Sequence, residues 1–350
     1  MSKVYANPFH WGSFVSGNHY LARPLEQEHL SNAIEKQVHL VISGQRGTGK
    51  TSILKHALLN SRSIPSIYMD LSFVTSREDL INLLLDAFEK SFPEDKTAEL
   101  TKSLRPQKGG VSFAPVIDLW YNKVKQNSQK FTFVWDEFHH LVKLKDGILE
   151  ELKQNLRDRR RITHIVASHR EDILDDIFGN RQDPFFPRIE KLTIKHIDQK
   201  AFNRFLTQRF RRMGLSDFDL ADAVLTFTDG HPQITQKFAH ALAELWLEGS
   251  STRLMERTLH KILESHDHIF TAWWDSFGLN EKRLLLGLAS GYSRPTELAF
   301  IKKFKLSATS TAHNTVLKML REGWLINRDE GYHIYNPLLL KWLQLGKGLS

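Results

Sequence analysis

The chain contains 350 residues, 41% of them hydrophobic, which is enough for two or three domains with hydrophobic cores. It has no cysteine, so disulfide bonds, thiol catalysis and thiolate metal sites are excluded. The formal net charge of +8 suits a polyanionic partner such as nucleic acid, and equally suits a basic protein that binds none. No run of 18 apolar residues and no signal-peptide pattern occur, so we expect a soluble, cytoplasmic protein without a membrane partner.

The first predicted strand is followed by a glycine-rich turn and then by a helix. Val38 to Ser43 form an apolar run, and Thr51 to Leu59 have helical spacing. The intervening sequence GQRGTGKT matches the P-loop pattern, in which backbone N–H groups converge on phosphates at a helix N-terminus. A glycine turn that only joins a strand to a helix is the alternative, but here both elements lie where a P-loop requires them. We therefore predict binding of ATP or ADP.

The residues of this loop have distinct predicted roles. Lys50 would reach the β- and γ-phosphates and take part in catalysis, and the hydroxyl of Thr51 would ligate Mg²⁺. The set predicted to contact the nucleotide is Gly44, Gln45, Arg46, Gly47, Thr48, Gly49, Lys50, Thr51 and Ser52.

Two acidic residues follow the third predicted strand. A short strand in SIPSIYMDLS, an amphipathic helix in TSREDLINLLLDAFEKSF and a polar loop in PEDKTAELTKSLRPQKGG precede it. In FTFVWDEF, Asp136 would hold Mg²⁺ through its water shell, and Glu137 would polarise a water for attack on the γ-phosphate. An acidic pair can also cap a helix, but downstream of a P-loop it favours a Walker B site. His139 and His140 invite a metal interpretation, yet no further ligand cluster has suitable spacing, so we expect both on a helix surface.

Two further strands complete the predicted sheet. RITHIVASHR ends in Ser168, His169 and Arg170, where a polar side chain would either sense the γ-phosphate or simply be solvated. RIEKLTI is the fifth strand. Arg188 in front of it would either reach the nucleotide of a neighbouring subunit as a catalytic arginine or lie solvated on the surface. Five strands that alternate with helices predict an α/β domain over residues 1–194, with a parallel sheet and ligands at its carboxyl edge.

The rest of the chain is predicted to form a helical domain and then a winged-helix domain. Helical spacing with glycines at the breaks predicts a helical lid over residues 195–272. From residue 273, three short helices lead into WLINRDEGYHIY, a pattern that predicts a β-hairpin. Three helices followed by a hairpin are typical of a winged helix-turn-helix domain, here over residues 273–350.

The predicted winged-helix domain carries most of the positive charge. Residues 281–350 contain 11 Lys and Arg against five Asp and Glu, a formal excess of +6 out of +8. If the helix TSTAHNTVLKML enters a DNA groove, its polar side chains and the lysines before it would meet bases or phosphates. These residues are Lys302, Lys303, Lys305, Ser310, Thr311, His313, Asn314 and Lys318. The alternative is that the domain packs on the ATPase core or binds a protein, and that these residues form an ordinary solvated face.

Taken together, the motifs resemble those of archaeal-type ATPases related to STAND proteins, within the AAA+ class of P-loop ATPases. The resemblance rests on GQRGTGKT, VWDE, IVASHR, the turn Gly230-His231-Pro232, the C-terminal YHIYNPLLLKWL, and the N-terminal NPFHWGSFVSGNHYLARPLE with Arg23 to Glu26. It covers nearly the whole chain. Ser168-His169 departs from the family's usual sensor pattern.

The resemblance implies a P-loop (AAA+/STAND-like) parallel five-stranded sheet followed by a helical lid and a C-terminal winged helix-turn-helix domain. It also implies that Pro232 packs near the adenine, and that Phe14, Val15 and Gly17 line the adenine pocket. An aromatic and a valine beside a glycine can contact a flat base, but they could equally be core residues.

Three functions stay open at this point. The first is a Mg²⁺-dependent ATP-hydrolysing switch, with Glu137 as the catalytic base, whose nucleotide state rearranges the lid and the winged helix. The second is a DNA-binding ATPase that resembles replication initiators or transposition ATPases, in which ATP controls DNA engagement or assembly. The third is a non-catalytic nucleotide-binding scaffold. A protein partner or a second copy of the chain is compatible with each.

Overall fold

The computed structural model describes residues 6–12, 14, 17–61, 63–93, 95–106, 112–127, 129–144, 147–156, 161–179, 189–215 and 219–346. The chain divides into two compact units. The α/β unit comprises Arg23–Gly44 and Lys50–Ile194, and the helical unit comprises Met1–Ala22, Gln45–Gly49 and Lys195–Ser350. The P-loop therefore contributes its two ends to one unit and its middle to the other.

Strands and helices alternate along the α/β unit. Its elements are α1 (Pro24–Lys36), β1 (His39–Ser43), α2 (Lys50–Asn60), β2 (Ser66–Asp70), α3 (Arg77–Ser91), α4 (Asp95–Leu104), α5 (Ala114–Gln126), β3 (Phe131–Asp136), α6 (His139–Val142), α7 (Ile148–Leu156), β4 (Ile162–Ala167), α8 (Glu171–Phe178) and β5 (Ile189–Thr193). The five strands pair in parallel in the order β2-β3-β4-β1-β5. The predicted five-stranded parallel sheet is confirmed.

The central strands are buried on both faces because helices cover both sides of a parallel sheet. Every residue of β3 and β4 is buried, and two separate hydrophobic clusters pack against the sheet. In register, Asp70 lies beside Asp136, and Ile42 lies beside Ala167. The chain that follows β4 therefore emerges between the ends of β1 and β3, where the P-loop and the acidic pair begin.

One secondary-structure prediction for this unit is wrong. The polar segment after α3 was expected to be a loop, yet residues 95–104 form the helix α4. Thr101 is fully buried and donates a hydrogen bond to Oε1 of Glu89 on α3 at 2.5 Å, and Arg105 pairs with the same oxygen at 3.0 Å. Polar contacts with a neighbouring helix thus stabilise a helix that has little apolar surface of its own.

Among the described residues, the helical unit contains nine α-helices and two strands after residue 195, and the two strands form a hairpin before the last helix. Its elements are α9 (Gln199–Arg212), α10 (Leu220–Thr228), α11 (Pro232–Leu247), α12 (Leu254–Ser265), α13 (Asp267–Ser276), α14 (Leu279–Ala289), α15 (Leu298–Lys303), α16 (Thr309–Arg321), β6 (Leu325–Arg328), β7 (Gly331–Ile334) and α17 (Pro337–Gln344). One hydrophobic cluster runs from Phe202 on α9 to Trp342 on α17. The helices α9–α12 and the elements α14–α17 therefore share a core.

The winged helix-turn-helix is present as predicted. Helices α14, α15 and α16 precede the antiparallel pair of β6 and β7, in which Leu325 pairs with Ile334 and Arg328 with Gly331. Asp329 and Glu330 form the two-residue connection. Among the described residues, no helix combines the length and apolar character needed to cross a bilayer.

Candidate active site

Gly44 and Lys50 mark the two ends of the P-loop in the α/β unit. A Cβ on Gly44 would lie 2.5 Å from the carbonyl oxygen of Ile194, and Gly44 has a φ of +151°, so this position requires glycine. Lys50 is the first residue of α2, and its Nζ donates a hydrogen bond to the carbonyl oxygen of Gly44 at 2.7 Å. Lys50 is only 6% exposed. Its ammonium group is thus held where a phosphate would meet the N-terminus of α2.

The middle of the P-loop makes its contacts within the helical unit. The hydroxyl of Tyr335 donates a hydrogen bond to the carbonyl oxygen of Arg46 at 3.0 Å. The backbone N–H of Gln233 donates to the carbonyl oxygen of Gly47 at 3.3 Å. Because a trans peptide points its C=O and N–H in opposite directions, the N–H of Gly47 faces away from Tyr335. Sequence reasoning missed Tyr335 and Gln233, since both lie far along the chain from the loop. The hydroxyl of Thr48 closes the turn by donating to the carbonyl oxygen of Gln45 at 2.9 Å.

Asp136, at the end of β3, is the centre of a buried polar contact. Its Oδ2 accepts hydrogen bonds from the hydroxyls of Thr51 and Tyr68, both at 2.6 Å. Asp136 is 1% exposed, and burial raises the pKa of its carboxyl above the ordinary value. Burial and the neighbouring Asp136 charge likewise raise the pKa of Tyr68. A buried carboxylate beside a P-loop hydroxyl is a donor set that fits Mg²⁺, so the predicted pair of Thr51 and Asp136 is brought together. Tyr68 was not predicted.

Glu137 has an unusual backbone and two imidazole neighbours. Its φ of +53° is left-handed, a conformation that non-glycine residues adopt mainly where the surroundings impose it. Its Oε2 lies 3.0 Å from Nδ1 of His169 and 3.3 Å from Nδ1 of His139. Burial alone would raise the pKa of Glu137, but the hydrogen bond and charge of His169 and the charge of Lys50 lower it to about 2. The carboxylate is therefore ionised, as a general base must be, and is engaged by histidine.

The polar residues at the end of β4 make buried contacts, while their predicted role in sensing the γ-phosphate stays a prediction. Ser168 is fully buried, and its Oγ lies 3.0 Å from Nδ1 of His139. Its backbone N–H donates to the carbonyl oxygen of Ile42, and its Oγ accepts from the N–H of Arg170 at 3.0 Å. Neither Ser168 nor His169, whose contact with Glu137 is described above, is a merely solvated strand end.

The expectation that His139 lies on a helix surface is wrong. His139 is 3% exposed, and its ring centre lies 4.5 Å from that of His169. It faces inward because α6 is a short helix that directly follows the buried end of β3. Burial and the nearby charge of His169 lower the pKa of His139 to about 3, so its imidazole is neutral. His140 is partly exposed, closer to the expectation.

The turn Gly230-His231-Pro232 begins α11 in the helical unit. Pro232 is buried at the first position of the helix, and Nδ1 of His231 accepts a hydrogen bond from the N–H of Ile234 at 3.3 Å. The ring of His231 lies 4.9 Å from that of Tyr335. A Cβ on Gly47 would come within 2.4 Å of His231. Burial lowers the pKa of His231 to about 4. The adenine contact predicted for Pro232 stays a prediction.

Five other predicted residues give little information about the site. Ser52 lies in the first turn of α2 and is half-buried. Phe14 is half-buried and Gly17 begins a short 3₁₀ turn, both within the helical unit, and their adenine contacts stay predictions. Val15 and Arg188 lie outside the described residues.

The candidate DNA-contact residues form a mostly exposed surface on α15 and α16. Seven of the eight are exposed and Thr311 is half-buried, while the opposite face of α16 packs into the core. Two of the lysines are already engaged. Nζ of Lys318 donates to Oε1 of Glu281 at 2.5 Å, and Nζ of Lys303 donates to the hydroxyl of Tyr292 at 2.7 Å. Lys302 and Lys305 are exposed at the end of α15 and just after it.

Two protein families match this chain, one over the P-loop domain and one over the winged helix. Residues 34–175 match the AAA domain family, and residues 268–345 match a probable winged helix domain family. No curated protein matches the chain. The sequence matches thus place a P-loop domain of the AAA class before a winged helix, as the fold does.

Solved structures with the same fold cover almost the whole chain. The Walker-type ATPase PABY2304 of Pyrococcus abyssi superposes with a TM-score of 0.73 at 20% identity, over 94% of this chain and 97% of that chain. The ORC2 protein of Aeropyrum pernix in ADPNP–ADP complexes gives 0.60 at 12% identity, over 94% and 95%. The Aeropyrum pernix ORC1 protein in complex with DNA gives 0.56 at 12% identity, over 92% and 91%. At such identities the likeness concerns the fold.

Proposed function

We propose that this protein, a P-loop protein of the AAA class with a C-terminal winged helix, is a Mg²⁺-dependent ATPase that works as a molecular switch. The observation that carries the proposal is the 2.6 Å hydrogen bond from Thr51 to the buried Asp136, with Glu137 as the next residue. Two elements distant in sequence thereby bring a P-loop hydroxyl, a metal-binding carboxylate and a candidate base into one site. A glycine turn that only joins a strand to a helix would not require this combination of residues.

Each residue has a role that follows from its surroundings. Lys50 would bind the β- and γ-phosphates, because its buried ammonium already bonds to a loop carbonyl that a phosphate oxygen would replace. Thr51 and Asp136 would hold Mg²⁺, which when bound neutralises the charge that develops on the phosphates. Glu137, ionised at neutral pH, would accept a proton from the attacking water.

The contact of Glu137 with His169 supports the switch part of the proposal. Oε2 of Glu137 is engaged by Nδ1 of His169 at 3.0 Å, which reduces its availability as a proton acceptor. We expect that a change that releases Glu137 from this contact would raise activity. The closer assignment to archaeal ATPases related to STAND proteins belongs to the same proposal, as does a protein partner or second copy that triggers the release.

The test is ATP turnover in the full chain and in Glu137→Gln, with nucleotide binding measured in parallel. Loss of a general base should lower turnover by at least about 100-fold, while a fluorescent ADP analogue binds with unchanged affinity. Lys50→Ala should lose the binding itself. Turnover that is equal in the wild type and in Glu137→Gln would contradict hydrolysis at this site and favour a nucleotide-binding scaffold.

A second function, ATP-controlled binding of duplex DNA, is favoured by the exposed polar face of α16 beside the lysines of α15. Phosphate contacts by lysine make DNA affinity fall with salt. Lys302→Gln should therefore weaken binding and reduce its salt dependence, whereas Lys200→Gln, an exposed lysine on α9, should not. Fluorescence anisotropy with labelled duplex at low and physiological salt measures both. Equal binding by the two variants would leave the winged helix as a protein-interaction module.

A further inference from the structure

Glu137, His139 and His169 bring three potential metal ligands to one point. Oε2 of Glu137 lies 3.0 Å from Nδ1 of His169 and 3.3 Å from Nδ1 of His139. One ligand atom from each residue lies within 4.8 Å of the other two. In the part of the chain that the structure describes, this is the one group of at least three such residues that is close enough to share an ion.

The spacing matches that of ligands around a small transition-metal ion. Zinc binds imidazole nitrogen at about 2.0–2.1 Å and carboxylate oxygen at about 2.0–2.2 Å, so neighbouring atoms of a tetrahedral set lie roughly 3.3 Å apart. The two distances from Glu137 are close to this value. Two imidazoles with one carboxylate form a set that suits zinc and related ions and leaves a fourth position open. Magnesium prefers an all-oxygen set such as that of Thr51 and Asp136.

The three side chains are also held in place by the fold. His139 is 4% exposed and His169 is 13% exposed at the side chain, and their rings meet edge to face. Glu137 has a left-handed backbone, and its carboxylate contacts both rings. Ligands that are already ordered lose little conformational freedom when they bind an ion. Oγ of Ser168 lies 3.0 Å from Nδ1 of His139, so its hydroxyl would release that nitrogen on metal binding.

We propose that Glu137, His139 and His169 bind a divalent transition-metal ion, for which Zn²⁺ is the probe, and that the bound ion holds the Glu137 carboxylate and inhibits ATP turnover. The binding part stands on geometry alone, and the inhibition part rests on the proposed ATPase function. Such an ion would occupy a position separate from the Mg²⁺ ligands. Of the acidic pair, Asp136 would bind Mg²⁺ and Glu137 would bind the transition-metal ion.

The first experiment measures metal binding without nucleotide. The full chain, stripped of metals, is titrated with Zn²⁺ against a chromophoric chelator, and with Co²⁺, whose visible absorption reports the coordination geometry. We expect one site per chain with a Kd at or below about 1 µM and a tetrahedral-type cobalt spectrum. His169→Asn should weaken binding by more than the 10- to 100-fold that loss of an outer-shell partner typically costs.

His140→Asn is the matched control, because His140 adjoins His139 in sequence and its ring lies 4.4 Å away, yet it is outside the ligand group. It should leave the affinity and the cobalt spectrum unchanged. Thermal melting of the metal-free variants shows whether each folds, and His139→Asn gives a second ligand deletion. Equal Zn²⁺ affinity in the wild type, His169→Asn and His139→Asn would overturn the site, as would the absence of saturable binding.

The second experiment measures ATP turnover in excess Mg²⁺ with and without Zn²⁺. The ratio of the two rates should fall strongly in the wild type and in His140→Asn and much less in His169→Asn. Tight binding without inhibition in the wild type would overturn the inhibitory role and keep the site. A wild type that binds Zn²⁺ but never hydrolyses ATP would refute the proposed function instead, so the two failures are distinguishable.

Discussion

The hydroxyl of Thr51 is the smallest feature on which the proposed chemistry depends. Thr51→Val removes its hydrogen bond to the buried Asp136 with little change of shape. A hydrogen bond to a charged group is worth about 1.5–3 kcal/mol, so we expect Mg²⁺-dependent ATP turnover to fall by about 10- to 100-fold. Thr51→Ser keeps the hydroxyl and should retain most of the turnover. Steady-state rates over a Mg²⁺ titration measure this, and nucleotide binding in EDTA should change little. Equal losses in both variants would contradict the role of the hydroxyl.

Single residues were predictable from sequence where the pattern that identifies them is local. The P-loop spacing and the acidic pair after β3 each lie within one short stretch, and the structure brings Thr51 and Asp136 together. His139 was misplaced because its environment is set by His169, which follows a different strand. Tyr68 could not be assigned either, because only the pairing of β2 with β3 places its hydroxyl on Asp136.

At the scale of elements, α14 carries a glycine where helix propensity alone would favour alanine. Gly287 is buried, and a Cβ there would lie 2.2 Å from Cζ of Phe300. Alanine in place of glycine normally stabilises a helix interior by about 1 kcal/mol, but overpacking a core costs about 1–3 kcal/mol. We expect Gly287→Ala to lower the free energy of unfolding in urea by up to about 2 kcal/mol, the difference between these terms.

The matched test of this explanation is the pair Gly287→Ala with Phe300→Leu. Phe300→Leu alone removes buried volume and should also destabilise the protein. If the close contact is the cause, the double variant should lose clearly less stability than the sum of the two single variants. Strict additivity, or a Gly287→Ala protein more stable than the wild type, would refute the packing argument.

A second prediction concerns the connection after β7. Tyr335→Phe removes the donor to the carbonyl oxygen of Arg46 and keeps the ring against His231. A hydrogen bond of about 1 kcal/mol that orders the P-loop backbone corresponds to a roughly 5-fold weaker binding of ADP. Tyr332→Phe, three residues earlier on β7, is the control and should bind ADP as the wild type does. Equal affinity in both variants would show that Tyr335 does not order the loop.

Most helices and strands can be predicted from the periodicity of apolar residues in the sequence. Which elements they contact cannot be predicted in this way. The strands before the P-loop, before the acidic pair and before Ser168 were predicted because apolar runs of five or six residues end in turn or polar residues. The helix α4 was missed because it is stabilised by polar contacts with α3, and these leave no apolar stripe in the sequence. Tertiary contacts there override a weak local signal.

For the whole molecule, the sequence predicts a parallel sheet but not the order of its strands. Helical connections between strands imply parallel pairing, which the structure confirms. The order β2-β3-β4-β1-β5 places β4 between β1 and β3, and so puts Ser168 and His169 beside the acidic pair. Nothing in the local patterns specifies that insertion, because it depends on which long-range pairings bury the most apolar surface.

Buried and partly buried histidines in both units make the stability of the protein depend on pH. Burial lowers the pKa of His39 and of His231 to about 4, and lowers that of His164 well below its usual value. In the unfolded chain these groups titrate near 6.5, so between about pH 6.5 and 4 the unfolded state binds more protons. The stabilising contribution is complete above pH 6.5 and is lost as the pH falls towards 4.

The test follows one histidine through this range. His39→Asn retains a side-chain acceptor for the backbone N–H of His164, which bonds to Nδ1 of His39 at 3.0 Å. Each buried histidine adds about 1.4 kcal/mol per pH unit to the slope of unfolding free energy against pH, so this variant should reduce the slope by about that amount. Urea unfolding at several pH values below 6.5 measures it, with His260→Asn on the exposed face of α12 as the control. A slope that is unchanged in His39→Asn would mean that His39 is not kept neutral by burial, and acid destabilisation would then have to come from other groups.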